Sequence, residues 1–369
     1  MAEDVLYIPV DTLRSFIKDV LLGVQVPPED ADVCADVIIA SDIRGIESHG
    51  ISRLKYYYQQ IKNGQFQANT NFEVVREGPT TAVVDGHSGM GMVIAKKAMQ
   101  LAIDKAKAFG MGSVAVRNSN HFGIAGYYPL MAVQQGLVGF AVTNARPTVA
   151  PTFGVQPMLG TNPIAFGAPT DEDIPFLYDG STPIAQRGRI EVLARAGKPV
   201  PEGWLIDQQG QPVTDAAAAV AGFFKQTVSF LPLGGAGELM SGHKGYGFGT
   251  IVEILSASFQ NGAFLLGLFG ESSDGRPQPY KTGHFFMAMN IESFTSLEEF
   301  KKTTGQILRD LRGSKHAPGQ DRIYTAGEKE HLAWLERKDK GVPVNEPLQK
   351  DIRALVKELK LTGYKFPFL

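Results

Sequence analysis

Apolar residues change their spacing twice along this chain, and that change limits the folds open to it. Leu13, Phe16, Ile17, Val20 and Leu21 recur at helical intervals, and Val33, Ala35, Val37, Ile38 and Ile39 do so again after Pro27 and Pro28. Leu54, Tyr57, Tyr58 and Ile61 predict a third helix over 52–61, closed by Gly64. From Phe72 the runs shorten, and residues 72–76 and 81–84 flank Glu77-Gly78-Pro79 as a hairpin. A helix is expected near 91–109, with Ile94, Ala98, Leu101, Ala102 and Ala106 as its buried stripe. Short β-like runs follow at 113–116, 138–142, 164–166 and 176–178, each bounded by Gly, Pro or Asn. Helical spacing returns at Leu297, Phe300, Ile307 and Leu311, then over 332–335 and 352–359. The expected class is α/β (α+β): a helical domain from both chain ends, residues 1–71 with 295–369, around a central α/β domain, residues 72–294.

The 369 residues fit about two domains at roughly 150 residues each. Apolar residues at 43% and charged residues at 20% exclude wholesale disorder and a fibrous repeat. With 36 Lys plus Arg against 38 Asp plus Glu, no global field exists to capture nucleic acid or an anionic membrane. Cys34 is the single cysteine, so an intrachain disulfide, a C-x-x-C pair and a thiolate zinc cage are all excluded. Met1 to Val10 carries Glu3 and Asp4 and does not read as a secretory signal, while the longest apolar stretch, 263–269, is far too short to span a membrane. The expected location is cytoplasmic.

Several familiar motifs fail on context. Gly110-Met111-Gly112-Ser113-Val114-Ala115 matches a loose G-x-G-x-x-A fingerprint, but a helix precedes it and a strand follows, the reverse of what a dinucleotide loop needs. It reads as a helix stop and a tight turn. Residues 237–244 approach a P-loop, yet His243 stands where the lysine belongs. No histidine pair has zinc spacing and no G-x-S-x-G elbow occurs, so no metal is expected.

Two clusters carry chemistry. In Glu47-Ser48-His49-Gly50-Ile51-Ser52-Arg53, a helix starting at His49 would put Arg53 at i+4 on the same side. An imidazole exchanges a hydroxyl proton near neutral pH and a guanidinium grips a carboxylate with two parallel bonds, the two functions needed to oxidise an α-hydroxy acid. From spacing alone, a helix cap at His49 and a solvated Arg53 are the simpler account of the same residues. In the second cluster, Arg117 to Gly126, a loop leaves a strand and opens a helix near Tyr127, an arrangement that offers free N–H groups to an anion. An Asn/Gly turn around a buried histidine is the competing account. Gly160-Thr161-Asn162-Pro163, Asp179-Gly180-Ser181-Thr182 and the helix opening Ser241 to Gly249, with His243 and Lys244, are either pocket linings or turns.

Taken in order, these blocks resemble the malate/lactate dehydrogenase family of the non-Rossmann type, whose relatives include sulfolactate, ureidoglycolate and diketogulonate oxidoreductases and a cyclic-imino-acid reductase. The resemblance runs from Asp42-Ile43-Arg44-Gly45 and Ser48-His49-Gly50 to about Val344. It is carried by Val142-Thr143-Asn144, Val149-Ala150-Pro151, Leu159 to Pro163, Pro201-Glu202-Gly203-Trp204 and Gly242 to Gly247, and it is strongest toward the malate dehydrogenase branch.

That resemblance implies a homodimer whose 72–294 domain binds NAD or NADP, NAD slightly favoured, on a mixed, largely antiparallel sheet. The cofactor would lie against His121, Phe122, Gly123, Ile124 and Ala125, against Asp179, Gly180, Ser181 and Thr182, against His243 and Lys244, and against Ala326, Gly327 and Glu328. Ser48, His49 and Asp179 match a catalytic relay, Arg53 the substrate-carboxylate position, and His121 the acid/base assigned in other relatives. The implied reaction is hydride transfer between a small 2-hydroxy acid, malate or lactate, and its 2-oxo acid. Reduction of a cyclic imino acid or of sulfopyruvate is the alternative, and a cofactor-binding protein without turnover is a further one. For the distal carboxylate of malate, Arg44, Lys55 and Arg187 are the cations at hand. Two blocks depart from the family: Asp179-Gly180-Ser181-Thr182-Pro183 replaces Asp-Met-Ala-Thr-Ser, with Pro183 removing a backbone donor, and Ala326-Gly327-Glu328 replaces Pro-Gly-Glu.

Overall fold

The structure is a computed structural model that describes residues 5–272 and 274–369, with the backbone alone at 224. Glu3 and Asp4 lie outside the described residues. Strand β1 (Leu6–Ile8) leads into α1 (Val10–Leu22) and α2 (Pro28–Ile43), and α3 (Leu54–Lys62) follows two 3₁₀ turns at Glu47–His49 and Ile51–Arg53. The stripe Leu13, Phe16, Ile17, Val20 and Leu21 is buried throughout. Each such side chain taken from water stabilises the fold by about 1.5–3 kcal/mol.

The middle of the chain is built on a sheet. Strands β2 (Glu73–Glu77) and β3 (Thr81–Asp85) form the expected hairpin, then come α4 (Gly91–Phe109), β4 (Met111–Ser119), α5 (Tyr127–Val133), β5 (Leu137–Thr143), β6 (Ile164–Ala168) and β7 (Phe176–Gly180). Helix α4 stops at Gly110, whose φ of +85° suits glycine, and a Cβ on Gly112 would collide with the Ala102 carbonyl. The two glycines that mimic a fingerprint therefore end a helix and let β4 pack closely against it. Beyond β7 lie α6 (Arg187–Arg195), β8 (Leu205–Asp207), α7 (Ala216–Lys225), β9 (Val228–Phe230), α8 (Gly242–Ala257), β10 (Thr282–Asn290), α9 (Leu297–Arg312), α10 (Glu328–Lys340), β11 (Val342–Val344) and α11 (Glu346–Leu359).

Among the described residues the large sheet has seven strands in the order β2-β3-β4-β10-β5-β6-β7. The β3/β4 pair is parallel and the other pairs are antiparallel. The sheet is thus mixed and mostly antiparallel, unlike a doubly wound one. The two ends of the chain meet: Leu6 pairs with Val344 and Ile8 with Val342, and Val342, Val344, Ile352, Leu355 and Phe366 share one apolar core with α1, α2 and α3. Helix α9 packs elsewhere, with Leu297 and Phe300 against Val138, Ala168 and Ile291 at the sheet. No helix among the described residues is long and apolar enough to cross a membrane, and no cluster of three or more His, Cys, Asp or Glu among them is placed to hold a metal ion.

Candidate active site

The segment carrying His49 and Arg53 is not a continuous helix. Gly50, at ψ −146°, separates the two 3₁₀ turns, and a Cβ there would overlap the Asp42 carboxylate. That carboxylate, on the last turn of α2, accepts the Ile51 N–H at 2.7 Å and is 1% exposed. Burial, reinforced by Glu47, pushes Asp42 up to about 8 against the opposing pull of Arg337 and of the Ile51 N–H bond. Arg337 of α10 donates to the Asp42 carbonyl at 2.6 Å and pairs with Glu47 at 2.5 Å, fastening the turn from outside. Arg53 reaches the same neighbourhood as His49 by folding back, its Nε donating to the Ser48 carbonyl at 2.8 Å.

Helix α2 brings this turn to the second cluster. A Cβ on Gly123, where φ is +81°, would press on Val37, and the Tyr127 hydroxyl donates to Asp36 at 2.5 Å. His121 consequently faces His49, with ring centroids 5.5 Å apart and planes inclined by 22°. Ser48 Oγ lies 2.9 Å from His49 Nδ1. Tyr57 Oη lies 2.7 Å from His121 Nδ1, and the Gly123 N–H donates to that same nitrogen at 3.3 Å. Burial and the Arg53 charge lower His49 to about 4, while burial, with His49, Arg53 and His284 nearby, holds His121 well below its ordinary range. Both imidazoles are neutral at pH 7.

Beneath this loop, β10 places His284, completely buried and stacked at 4.6 Å on Phe122. Its two nitrogens lie 2.7 Å from Thr143 Oγ1 and 2.8 Å from Ser119 Oγ. With burial lowering it to about 3, His284 is a neutral strut for the loop.

Asp179 stands apart from the histidines. Its Oδ2 accepts the Gly126 N–H at 2.7 Å, and no hydrogen bond joins it to His49 among the described residues. It opens onto a cavity of about 290 Å³ whose wall includes Arg44, Ile124, Tyr127, Ala326, Gly327 and Glu330. Although the side chain is exposed along that cavity, the surrounding protein and the Glu330 carboxylate raise it to about 6. A second cavity of about 360 Å³ shares Arg44, Leu130, Leu177, Gly327 and Glu330 with the first, so the two adjoin.

The other residues expected at a cofactor are dispersed. Phe122, Gly123 and Ala125 are buried in the loop. Gly180 ends β7, Ser181 follows it, and the Thr182 N–H bonds the Thr161 carbonyl at 3.0 Å. Thr182 also lies beside Gly249 of α8, whose first turn exposes His243 and Lys244. Glu328, the first residue of α10, is buried and committed to Arg322 and to the Thr325 N–H in the preceding loop, and it is absent from the cavity wall. Tyr57 was not expected at the site: it belongs to the apolar stripe of α3, and only its place four residues after Arg53 signals a role beyond packing.

Arg44 and Gly327 belong to both walls, so the joined space offers an anionic ligand a guanidinium and a close approach to backbone. A profile of the malate/L-lactate dehydrogenase family matches residues 8–353. A malate dehydrogenase of Pyrococcus horikoshii is 42% identical over 361 residues, covering 98% of each chain. An L-sulfolactate dehydrogenase of Methanocaldococcus jannaschii is 38% identical, covering 94% of this chain and 96% of its own. The crystal structure of malate dehydrogenase from Entamoeba histolytica superposes with a TM-score of 0.93 at 40% identity, covering 99% of this chain and all of that one.

Proposed function

The chain belongs to the malate/L-lactate dehydrogenase family, an oxidoreductase acting on CH–OH with a nicotinamide cofactor, and from that premise we propose that it interconverts malate and oxaloacetate. The observation that carries this reading is the convergence of His49, His121 and Arg53, with Ile124 and Gly126 of the His121 loop lining the first cavity. Arg53 holds the substrate's C1 carboxylate, since a planar guanidinium matches both oxygens. His49 exchanges the hydroxyl proton, and its basicity, suppressed mainly by burial, recovers in part once a bound carboxylate offsets the Arg53 charge. The nicotinamide ring, when bound, supplies or accepts the hydride at the substrate's C2.

Asp179, Ile124, Ala326 and Gly327 border the space for the cofactor, and Arg44 supplies positive charge there. NAD is the proposed partner in preference to NADP: Asp173 and Glu330 line the second lobe beside Arg44 and Lys301, so a 2′-phosphate there would meet carboxylates as well as cations. The working form is proposed to be a homodimer. Helix α8 leaves Phe248, Ile251 and Ile254 half exposed, which is unusual for a surface meant to face water.

The test follows reduced-nicotinamide absorbance with NADH and NADPH separately across oxaloacetate, pyruvate, sulfopyruvate and a cyclic imino acid. The expected result is oxidation of NADH with oxaloacetate well above the rest. A preference for sulfopyruvate or the imino acid replaces the substrate assignment, and silence on all four with either cofactor overturns it.

A further inference from the structure

We infer that His121 acts as a neutral hydrogen-bond donor through Nε2, held in that tautomer by Tyr57 and the Gly123 amide, so that proton exchange with substrate falls to His49. The catalytic half of this inference rests on the function proposed above, while the tautomer stands on geometry alone.

An imidazole nitrogen carries either a proton or one lone pair. The Gly123 N–H points at His121 Nδ1, and a backbone amide can only donate. Tyr57 adds a second donor to the same atom. Its hydroxyl is buried and has no other hydrogen-bond partner among the described residues, and burial pushes the phenol far above its ordinary range, so it keeps its proton. Nδ1 is therefore the bare nitrogen, and the proton of the neutral ring sits on Nε2. For His121 to serve as a base at Nε2, a proton would have to sit on Nδ1, facing the Gly123 N–H.

His49 is under no such constraint. Its Nδ1 meets the Ser48 hydroxyl, which can accept as readily as it donates, and among the described residues no backbone N–H is directed at the ring. With Nδ1–H given to Ser48, Nε2 offers a lone pair. In the oxidative direction the substrate O–H bond breaks and its proton goes to His49 Nε2. The C2–H electron pair leaves as hydride to the nicotinamide ring, and the C–O bond becomes C=O. The Nε2–H of His121 is not transferred; it donates to that oxygen, stabilising the negative charge that develops there in either direction. Tyr57 is a positioning residue, since it acts through His121.

Long-range ¹H–¹⁵N correlation spectra of the full chain labelled with ¹⁵N-histidine read the tautomer directly, with the His121 signals identified by their loss in H121Q. A bare Nδ1 and a protonated Nε2 are expected in wild type, and a mixture of tautomers in Y57F. A protonated Nδ1 in wild type overturns the inference. The pH profile of kcat/KM tests the role, with thermal midpoints confirming that each variant is folded. In H121Q the side-chain amide can stand in for Nε2–H, so the basic ionisation seen in wild type persists. H121A should lose about 10²–10³-fold in kcat, the usual cost of one such donor, and H121Q much less. H49Q should abolish the ionisation. Disappearance of that ionisation in H121Q with its retention in H49Q overturns the assignment. Absence of wild-type turnover on every hydroxy and oxo acid sinks the proposed function instead, and the spectra then still decide the tautomer.

Discussion

The rings of His49 and His121 face each other at 5.5 Å, and the Arg53 charge bears on both. Two imidazoliums stacked beside a guanidinium would repel strongly in so buried a place, so the pair starts neutral. Basicity is then conditional on the ligand. A substrate carboxylate at Arg53 cancels the charge that, after burial, suppresses His49, and so makes it a better proton acceptor.

Removing the guanidinium should therefore raise the His49 pKa from about 4 toward, but not to, 6.5, because burial is the larger cause and Arg53 the second. An NMR titration of His49 in R53Q against wild type measures this. An unchanged or lower value means that Arg53 does not act on His49.

R53K tests the carboxylate assignment. A point charge replaces a planar fork, and losing a charge-assisted hydrogen bond costs about 1.5–3 kcal/mol. At about 1.4 kcal/mol per tenfold, KM for oxaloacetate should rise about 10- to 100-fold, with a smaller change in kcat. A KM equal to wild type would remove Arg53 from the substrate site.

Much of this arrangement is legible in the sequence, and what is not has physical causes. The period of the apolar residues gives α1, α2 and α4 close to their observed ends, because each buries one continuous stripe. Strand β10, the hydrogen-bonded centre of the sheet between β4 and β5, is invisible to the same reading. Its buried face runs His284, Phe286, Ala288, and a polar histidine opening that face hides the alternation. The i+4 argument for His49 and Arg53 brings the right residues together by the wrong geometry: Gly50 breaks the helix there, for the sake of a carboxylate eight residues away in sequence. That Asp179 bonds a loop amide, with no bond to His49 among the described residues, is a matter of tertiary placement that spacing cannot reveal.

Asp42 should leave a mark on the pH dependence of stability. Its pKa is raised from 3.8 to about 8, so between those values the folded state holds a proton that the unfolded state has released. Stability from this group is full below about pH 4 and is lost as pH rises toward 8, by at most about 1.4 kcal/mol per pH unit. D42N keeps an acceptor for the Ile51 N–H and does not titrate. Its thermal midpoint relative to wild type should therefore improve steadily from pH 5 to pH 8. A difference that is flat across this range means that Asp42 is ionised throughout.

Gly50→Ala should destabilise the chain by about 1–3 kcal/mol in urea titrations, because the new methyl must displace the Asp42 carboxylate from the turn. It should also lower kcat/KM, since His49 and Arg53 move with that turn. Gly188→Ala is the control: this glycine is exposed within α6 with nothing in the way, so alanine should stabilise by up to about 1 kcal/mol. Equal effects at the two positions would mean that the carboxylate does not shape the turn.

The apolar face of α8 supplies the last prediction. Phe248, Ile251 and Ile254 recur at three-residue intervals on one side of the helix, each about half exposed, while Val252, Glu253 and Ser256 on the other side are buried. A second copy of the chain seated there would remove the stripe from water, and a charge placed in its middle would have to be desolvated on assembly. Light scattering should give about twice the 40.0 kDa chain mass for wild type and a shift toward a single chain for I251K. Circular dichroism should stay unchanged, because the substituted side chain faces outward in the lone chain. A wild-type mass of one chain removes the homodimer, and a dimer untouched by I251K places its interface on another face.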